Sequence, residues 1–480
     1  MAVGSISFFR LRKTESQVYA PSSFIESAGI AGGTGDKRKS EARRGRLDGL
    51  TVLRFAHAFE TGGGTERYLE DLDRVLLERN PMRIIRLYIA ADRNELSERT
   101  EYMGQGELIR VPLPLPEGES IQSASDEEPT GINPKRLFRD WVLYNPFVWN
   151  VWTRNFLLNW RVPRRRGQVV GAGAKVEEMI GRYRIDLIML HFMGGADADE
   201  IVELARRRGV PFAVLNHYSN DRFLHLSIRK HALLADGVAS VNGLGVPRYL
   251  RGRLQNLADG IDTDFLMHEK ACPLPVEPGP PVILLPARIV KAKGHLDLVR
   301  AGAMLRSRGA DFRIAFAGRV DSTRFEHELR DEILRHELAD RVQFLGVLSQ
   351  QALRDWYAAS TVLAFPTYHH EGLPRVIVEA QAMKVPPVAY ATGGVPEGLI
   401  PGRTGFLLRT GDVEGLAARI AELLQNPELR QRMGEEGRRF VEERYSLEAL
   451  ARRHEQFYLQ VLDSARAPGR GTPQRPNTDH

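Results

Sequence analysis

The segment Glu371-Gly372-Leu373-Pro374-Arg375-Val376-Ile377-Val378-Glu379 places two carboxylates, with seven residues between them, around the predicted start of a helix. The apolar run at 362–366 before it is typical of a buried parallel strand, and the polar residues after the run predict a loop. Pro374 favours the first helical position, because the N–H group that proline lacks is not needed there. Glu371 is therefore predicted in a strand-to-helix loop and Glu379 on the helix. Open α/β sheets bind ligands at such loops, and a helix N-terminus attracts anions such as phosphate.

Strand and helix patterns alternate along the chain on both sides of this segment. Such alternation predicts an α/β fold with parallel sheets that carry helices on both faces. A Pro-rich stretch at 273–281 divides the alternation into two halves and predicts a linker. Strands are predicted at 51–56, 83–90, 185–190, 212–215 and 237–241 in the first half, and at 282–285, 312–317, 342–345, 362–365 and 387–390 in the second.

Three further motifs accompany the two carboxylates. The chain carries Ala287-Arg288-Ile289-Val290-Lys291-Ala292-Lys293-Gly294 upstream, and Gly393-Gly394-Val395-Pro396-Glu397 and Thr404-Gly405 downstream. In this order and spacing, the four motifs resemble the retaining glycosyltransferases of the GT-B fold, family 4, also called glycosyl transferases group 1. The resemblance covers roughly 282–446, and a weaker one covers 50–265. It implies two Rossmann-like, doubly wound parallel-sheet domains that face each other across a cleft.

Composition and the resemblance together predict how the chain is divided. The first residues are rich in Ser, Gly and charged side chains, a composition that favours disorder. The predicted division is a disordered basic tail (1–48), an N-terminal Rossmann-like acceptor domain (49–270, with an insertion at about 113–168), a linker (271–281), a C-terminal Rossmann-like donor-binding domain (282–445), a terminal crossover helix (446–464) and a disordered tail (465–480).

A transferase that uses a nucleotide sugar must neutralise a diphosphate leaving group and hold sugar hydroxyls. Arg288 and Lys293 follow an apolar strand and lie in a predicted loop, so both cations are expected to converge on the diphosphate. The alternative is a solvated basic loop. The resemblance implies that Glu371 binds the donor sugar and that Glu379 binds the ribose. The alternative for Glu379 is an ion pair with a neighbouring cation on an exposed helix face.

The backbone around the first carboxylate supplies further candidates for donor binding. The N–H groups of Leu373 and Arg375 are candidates for the phosphate, and Gly372 allows the donor sugar to approach the backbone closely. Gly393 and Gly394 have two equal interpretations, a turn or part of the lining of the site.

In the first half, Gly62-Gly63-Gly64 follows a predicted strand, which is typical of a loop that approaches phosphate. Together with Thr65-Glu66-Arg67 it also resembles the family's G-G-x-E-R element, which faces donor and acceptor across the cleft. The resemblance therefore implies that Gly63 and Gly64 contact the donor. A tight turn is the alternative, and the dinucleotide-binding fingerprint G-x-G-x-x-G is missing. His191 and His217 each follow an apolar strand. The resemblance places His217 at the donor sugar near the reaction centre, while His191 is a weaker candidate that a structural role would also explain.

The composition of the chain limits which cofactors and partners can be expected. The net charge of +6, from 67 basic and 61 acidic residues, is small for 480 residues and does not indicate a nucleic-acid partner. The single cysteine, Cys272, excludes an internal disulfide. The D-x-D triplets at 71–73, 197–199 and 262–264 are too short to establish a metal site. We expect no metal and no cofactor beyond the nucleotide-sugar co-substrate.

The expected location is cytoplasmic. No apolar run reaches the roughly 18 residues that span a bilayer, and the N-terminus lacks the apolar core of a secretory signal. Residues 137–160 hold four of the five tryptophans and are flanked by arginines as far as 166. Two interpretations stay open for 137–166. It is either a peripheral contact with the inner face of the membrane, near a lipid-linked acceptor, or a lid over the acceptor site.

Together with these patterns, the resemblance implies a retaining, metal-independent glycosyltransferase. It would transfer a hexose-like sugar from a UDP- or GDP-sugar to a glycan or lipid-linked acceptor, as in polysaccharide and cell-envelope biosynthesis. The predicted catalytic residues are Glu371, His217, Arg288 and Lys293. The alternative is a non-catalytic protein that binds sugar nucleotides on the same scaffold. An NAD-dependent oxidoreductase is disfavoured by the missing fingerprint.

Overall fold

Two sheets, each with helices packed against it, make up the part of the chain that the structure describes. The structure is a computed structural model, and it describes residues 47–59, 64–90, 97–114, 171–191, 196–218, 220, 226–272 and 279–466. Several predictions fall outside these residues. They concern Gly62 and Gly63, the insertion with its Trp-rich segment, the Pro-rich part of the linker and nearly all of both tails.

The first sheet has eight strands in the order β3-β4-β2-β1-β5-β6-β7-β8. All neighbours are parallel except β3, which pairs antiparallel with β4 at one edge. The strands are β1 (Thr51–Phe59), β2 (Arg83–Ile89), β3 (Arg99–Met103), β4 (Gly106–Leu113), β5 (Leu187–His191), β6 (Phe212–Asn216), β7 (Gly237–Ser240) and β8 (Leu254–Asn256). The helices are α1 (Gly64–Arg79), α2 (Ala172–Arg182), α3 (Ala196–Arg208) and α4 (Leu226–Leu234).

The second sheet has six strands in the order β11-β10-β9-β12-β13-β14, all parallel. The strands are β9 (Val282–Pro286), β10 (Arg313–Ala317), β11 (Val342–Gly346), β12 (Ser360–Phe365), β13 (Pro387–Tyr390) and β14 (Phe406–Leu408). The helices are α5 (His295–Ser307), α6 (Thr323–Arg335), α7 (Gln350–Ala359), α8 (Arg375–Ala382), α9 (Val413–Gln425), α10 (Pro427–Tyr445) and α11 (Leu447–Arg466).

The α/β fold class is confirmed, and every strand that the sequence predicts is present with ends shifted by a few residues at most. Strands β3, β4, β8 and β14 were not predicted. The first is mostly exposed and polar, β4 carries Arg110 within its apolar run, and the other two have three residues each. Pro374 precedes α8 rather than filling its first position, because α8 begins at Arg375.

Both ends of the described chain extend further than predicted. Leu47, assigned to the disordered tail, is only 1% exposed and belongs to the core of the first sheet. The N–H of Gly49 donates to the carbonyl of Pro81 at 2.8 Å, which fixes the start of the fold. At the other end α11 continues to Arg466, two residues beyond the predicted end of the terminal helix.

The terminal helix α11 joins the second half of the chain to the first sheet. The hydroxyl of Ser446 accepts a hydrogen bond from the N–H of Ala449 at 3.3 Å, so this residue caps the helix as the sequence predicts. The buried face of α11, including Leu450 and Phe457, packs in the same core as Leu72 of α1. Burial of each such side chain contributes about 1.5–3 kcal/mol. None of the described helices is long and apolar enough to span a bilayer.

Candidate active site

Lys293 and Glu371 form an ion pair at the carboxyl edge of the second sheet. Lys293 ends a short helical turn after β9, and Glu371 lies in the loop between β12 and α8. Their side chains are 12% and 23% exposed, so the pair is sheltered but still open to solvent. The N–H of Tyr368 donates to the carbonyl of Ala292 at 2.8 Å and ties the two loops together. The structure thus brings together the cation and the carboxylate that the sequence assigned to the donor.

A glycine holds Lys293 close to the neighbouring loop. Gly294 has a φ of 75°, a conformation that residues with a side chain disfavour, and it is the N-cap residue directly before α5. A Cβ at this position would overlap the carbonyl of Pro366, which follows β12. The close approach of these two loops is what sets Lys293 beside Glu371.

Arg288 has a different partner from Lys293. Its guanidinium donates to the carboxylate of Asp321 at 2.5 Å, and the same carboxylate accepts from Arg319 at 2.6 Å. Burial alone would raise the pKa of Asp321, but hydrogen bonds from the two arginines lower it. Arg288 is 45% exposed and therefore accessible to a ligand. Convergence of Arg288 and Lys293 on one diphosphate stays a prediction.

Glu379 lies on α8 and is only 7% exposed. Its carboxylate accepts a hydrogen bond from the Tyr357 hydroxyl at 3.0 Å, and Arg375 Nε lies 3.5 Å from the other oxygen. The exposed helix face considered as an alternative is therefore wrong, although an ion pair with a neighbouring cation is present. The ribose contact of Glu379 stays a prediction.

The sequence predicted that Arg375 contributes its backbone N–H group. In the structure its side chain also contacts three carboxylates. The guanidinium donates to Asp71 of α1 at 2.9 Å and to Asp259 at 3.2 Å, besides its contact with Glu379. Burial alone would lower the pKa of Arg375, but the three carboxylates raise it. This buried cluster therefore connects the two halves of the chain. The side chain of Leu373, another donor candidate, is 7% exposed and packs in the core of the second sheet.

The glycines around Glu371 allow loops to pack against each other. A Cβ on Gly372 would lie 2.6 Å from the carbonyl oxygen of His217, and one on Gly394 would overlap the carbonyl of Gly372. The N–H of Gly394 donates to the carbonyl of Glu371 at 2.9 Å, and the preceding Gly393 has a φ of 55°. The group that approaches Gly372 closely is thus the His217 backbone, where the sequence predicted a donor sugar.

The two histidines of the first sheet lie side by side. His191 is the last residue of β5, His217 follows β6, and His191 Nδ1 is 2.9 Å from His217 Nε2. Burial, with a contribution from the charge of Arg54, lowers the pKa of His217 to about 3. Burial and the nearby His217 and Arg54 also lower the pKa of His191 well below its usual range. Both rings are therefore neutral at physiological pH.

The loops that carry His217 and Glu371 meet across the two sheets. Tyr218, which follows His217, forms an antiparallel backbone bridge with Glu371. The amide of Asn216 brackets the loop, accepting from the N–H of Tyr218 and donating to its carbonyl, both at 3.1 Å. The carboxyl edges of the two sheets therefore face each other at this point. Gly64 is the first residue of α1, and the donor contacts predicted for it and for Gly63 stay predictions.

The D-x-D carboxylates bind cations of the protein itself or cap turns. Asp73 pairs with Arg54 and Arg86 in the interior, and Asp199 pairs with Lys230. Asp262 accepts the N–H of Phe265 at 2.8 Å. Among the residues that the structure describes, no cluster of three or more His, Cys, Asp or Glu could hold a metal ion. The expectation of a metal-free reaction stays a prediction.

The sequence analysis did not predict the contacts of several residues at this site. They share the property of orienting or contacting a predicted site residue from a distant position in the chain. They are Asp71, Asp259, Asp321, Tyr218 and Tyr357.

The stability of the protein should fall as the pH drops below about 6.5. The unfolded chain protonates its histidines near that value, whereas His217 in the folded state has a pKa of about 3 and that of His454 is well below its usual range because of burial. The unfolded state then binds more protons across this window, so the free energy of unfolding decreases with falling pH, by up to about 1.4 kcal/mol per unit for each such ring. Asp259 acts in the opposite direction, because burial raises its pKa in the folded state to about 6. This one carboxylate therefore offsets part of the loss of stability as the pH falls.

Urea denaturation at pH 7.5 and 5.5 measures this loss. His454→Gln keeps a polar group at the Tyr68 hydroxyl, which lies 2.6 Å from His454 Nε2, and removes one titrating ring, so its loss should be smaller. His327→Gln changes an exposed ring of α6 and should show the loss of the unaltered protein. Equal stability of the unaltered protein at both pH values would contradict the prediction.

Two Rossmann-like sheets that face each other, with a cation and a carboxylate at the carboxyl edge of the second, define the GT-B class of fold. The crystal structure of a glycosyltransferase from Rickettsia africae is similar, with a TM-score of 0.61 and 19% sequence identity, and the similarity covers 86% of this chain and 99% of that one. Residues 270–440 match the family model described as glycosyl transferases group 1. The second half of the chain is therefore similar to that family over these residues.

Two curated relatives are mannosyltransferases by name. The GDP-mannose-dependent monoacylated alpha-(1-6)-phosphatidylinositol monomannoside mannosyltransferase of Corynebacterium glutamicum is 35% identical over 179 residues, which cover 36% of this chain and 45% of the relative. The GDP-mannose-dependent alpha-(1-6)-phosphatidylinositol monomannoside mannosyltransferase of Mycolicibacterium smegmatis is 26% identical over 290 residues, covering 56% and 75%. The chain thus spans less than half the length of the first of these relatives.

Proposed function

We propose that this chain is a retaining, metal-independent glycosyltransferase that transfers a sugar from a UDP- or GDP-sugar to a glycan or lipid-linked acceptor. One observation carries the proposal. The Lys293–Glu371 pair lies at the carboxyl edge of the second sheet, directly opposite the loop of His217. A cation for the diphosphate and a carboxylate for the sugar are thus adjacent, as a nucleotide-sugar donor requires.

The negative charge of the donor diphosphate matches the cationic side chains at this edge of the sheet. Lys293 and the more exposed Arg288 supply two positive charges for the diphosphate, which is the role that a divalent ion plays in other transferases. The sugar then lies between Glu371 and His217. A neutral His217 donates or accepts a hydrogen bond with a sugar hydroxyl without adding charge to the site.

The reaction itself follows from the resemblance. The acceptor oxygen bonds to the anomeric carbon on the face from which the diphosphate departs, and the acceptor proton passes to the departing phosphate oxygen. This route retains the anomeric configuration and needs no carboxylate as nucleophile. Lys293 and Arg288 stabilise the charge that develops on the leaving group, which is the step at which preorganised charges contribute most.

The proposed acceptor rests on the names of the relatives, and the proposed location rests on the sequence alone. Both mannosyltransferases act, by their names, on phosphatidylinositol mannosides, which are lipid-linked sugars. We therefore propose a lipid-linked or glycan acceptor of the cell envelope and a cytoplasmic protein that reaches the inner face of the membrane. The segment 137–166, which lies outside the described residues, stays a candidate for that contact or for an acceptor lid.

Incubation with radiolabelled UDP- and GDP-sugars tests the proposal. We expect release of a nucleoside diphosphate from one donor, and NMR of a transfer product should show the donor's anomeric configuration. Lys293→Met should abolish most of the release, whereas Lys291→Met changes a side chain in the same turn that is 77% exposed and should leave it intact. Saturable binding without release from any donor would instead support the non-catalytic alternative.

A further inference from the structure

His191 makes one hydrogen bond, to His217, and leaves its other nitrogen without a partner. Its ring is 0% exposed, and its Nε2 has no hydrogen-bond partner among the described residues. An unsatisfied buried polar atom costs about 1–3 kcal/mol. An apolar side chain in this buried position would avoid that cost. Unlike an apolar side chain, however, His191 makes a hydrogen bond to His217, with 2.9 Å between its Nδ1 and His217 Nε2.

This contact determines which nitrogen of His217 carries the proton. In a hydrogen bond between two neutral imidazoles, one nitrogen donates and the other accepts. If His191 Nδ1 donates, the proton of His217 is on Nδ1, and if His191 Nδ1 accepts, it is on Nε2. Either way the tautomer of His217 is coupled to that of His191, so neither ring can change its protonated nitrogen without the other while the hydrogen bond persists.

A second contact, with the ring of Tyr68, restricts the orientation of the His217 ring. The ring of Tyr68 meets it edge-on, with the centroids 4.8 Å apart and an angle of 79° between the planes. Tyr68 is itself held by His454 of the terminal helix α11, whose Nε2 lies 2.6 Å from the Tyr68 hydroxyl. The ring of His191 lies beside that of His217 and nearly parallel to it, with the centroids 5.2 Å apart and 28° between the planes. The ring of His217 is thus in contact with the ring of Tyr68 and hydrogen-bonded to that of His191.

We propose that His191 is a positioning residue that fixes the tautomer and the ring orientation of His217 at the donor sugar. The inference rests on the proposed function, because it takes the sugar to be what His217 contacts. His191 itself is not expected to touch the substrate, since its side chain is fully buried. Its contribution reaches the reaction only through the ring that it holds.

The experiment compares His191→Leu with His191→Asn, in which the amide of Asn replaces the Nδ1 group. His191→Leu should lower kcat for transfer on the order of 10-fold to 100-fold, the range for residues that orient a functional side chain, with a smaller change in the acceptor KM. His191→Asn should recover most of the lost rate. In a His217→Ala background, His191→Leu should have little further effect, because the ring that it positions is gone. An equal loss in both backgrounds, or no loss in either, would overturn the inference.

A readout independent of transfer separates this inference from the proposed function. NMR of the full-length protein with isotopically labelled histidine rings identifies the protonated nitrogen of His217. We expect a single tautomer in the unaltered protein and in His191→Asn, and a mixture in His191→Leu. If no donor is consumed but the tautomer still depends on His191, the proposed function fails while the positioning of His217 stands. A single unchanged tautomer in His191→Leu would overturn the positioning.

Discussion

Replacement of Glu371 by Gln should lower kcat by about 100-fold to 1,000-fold, the loss expected when one preorganised charged group of an active site is removed. Gln has the same shape, so the loss isolates the negative charge. In the proposed function that charge accepts hydrogen bonds from sugar hydroxyls, and in the structure it pairs with Lys293. The measurement is the rate of nucleoside diphosphate release at saturating donor and acceptor.

The fold should survive this change because the Glu371 side chain is 23% exposed and lies in a loop. An unaltered thermal midpoint would show that the loss is catalytic. Glu328→Gln, on the exposed surface of α6, is the matched control and should retain the full rate. A rate for Glu371→Gln within threefold of the unaltered protein would remove Glu371 from the reaction.

Replacement of Arg375 by Met should destabilise the protein by about 3–5 kcal/mol, because removal of one partner from a buried ion cluster leaves the opposite charges uncompensated. Three carboxylates, those of Asp71, Asp259 and Glu379, surround this guanidinium. Met has a similar length and fills most of the space, so the loss reports mainly on charge. Urea denaturation at pH 7.5 measures it.

The control for this second change is Arg452→Met. Arg452 is 51% exposed and pairs with Glu448 one helical turn away, a type of pair that contributes about 0.3–0.5 kcal/mol. A loss for Arg375→Met no larger than that of the control would contradict the view that the buried cluster stabilises the junction of the two halves.

The sequence predicted the loop positions of Lys293 and Glu371 because the signals for these positions are local; their role at the donor stays a prediction. Glu371 and Lys293 each follow an apolar run that had to be a buried strand, and parallel strands bring the loops at their carboxyl ends to one edge. Their mutual ion pair also required strands β9 and β12 to be neighbours. That adjacency depends on the order of strands in the sheet, which alternation of elements does not specify.

The residues that the sequence missed are joined over long distances in the chain. Arg375 lies 304 positions from Asp71 and 116 from Asp259, so its side-chain partners were invisible, and only its backbone N–H could be assigned. Tyr68 and His454 are 386 positions apart and meet only because α11 returns to the first sheet. Contacts of this kind arise from tertiary packing, for which a local pattern carries no signal.

Secondary structure was missed where burial was weak or the element short. Strand β3 has an exposed, polar edge, with Tyr102 81% exposed, and therefore lacks the apolar pattern on which the prediction relied. Arg110 of β4 is buried but satisfied by Glu70 and Glu101, so a charge in an otherwise apolar run concealed a real strand.

We propose that the carboxyl edge of the second sheet binds a nucleoside diphosphate through Lys293, with the attached sugar at Glu371. A crystal structure of the protein with the nucleotide sugar that supports release tests this most directly. We expect the diphosphate within hydrogen-bonding distance of Lys293 Nζ and the sugar between Glu371 and His217. A nucleotide bound away from the loops that follow β9 and β12 would contradict it.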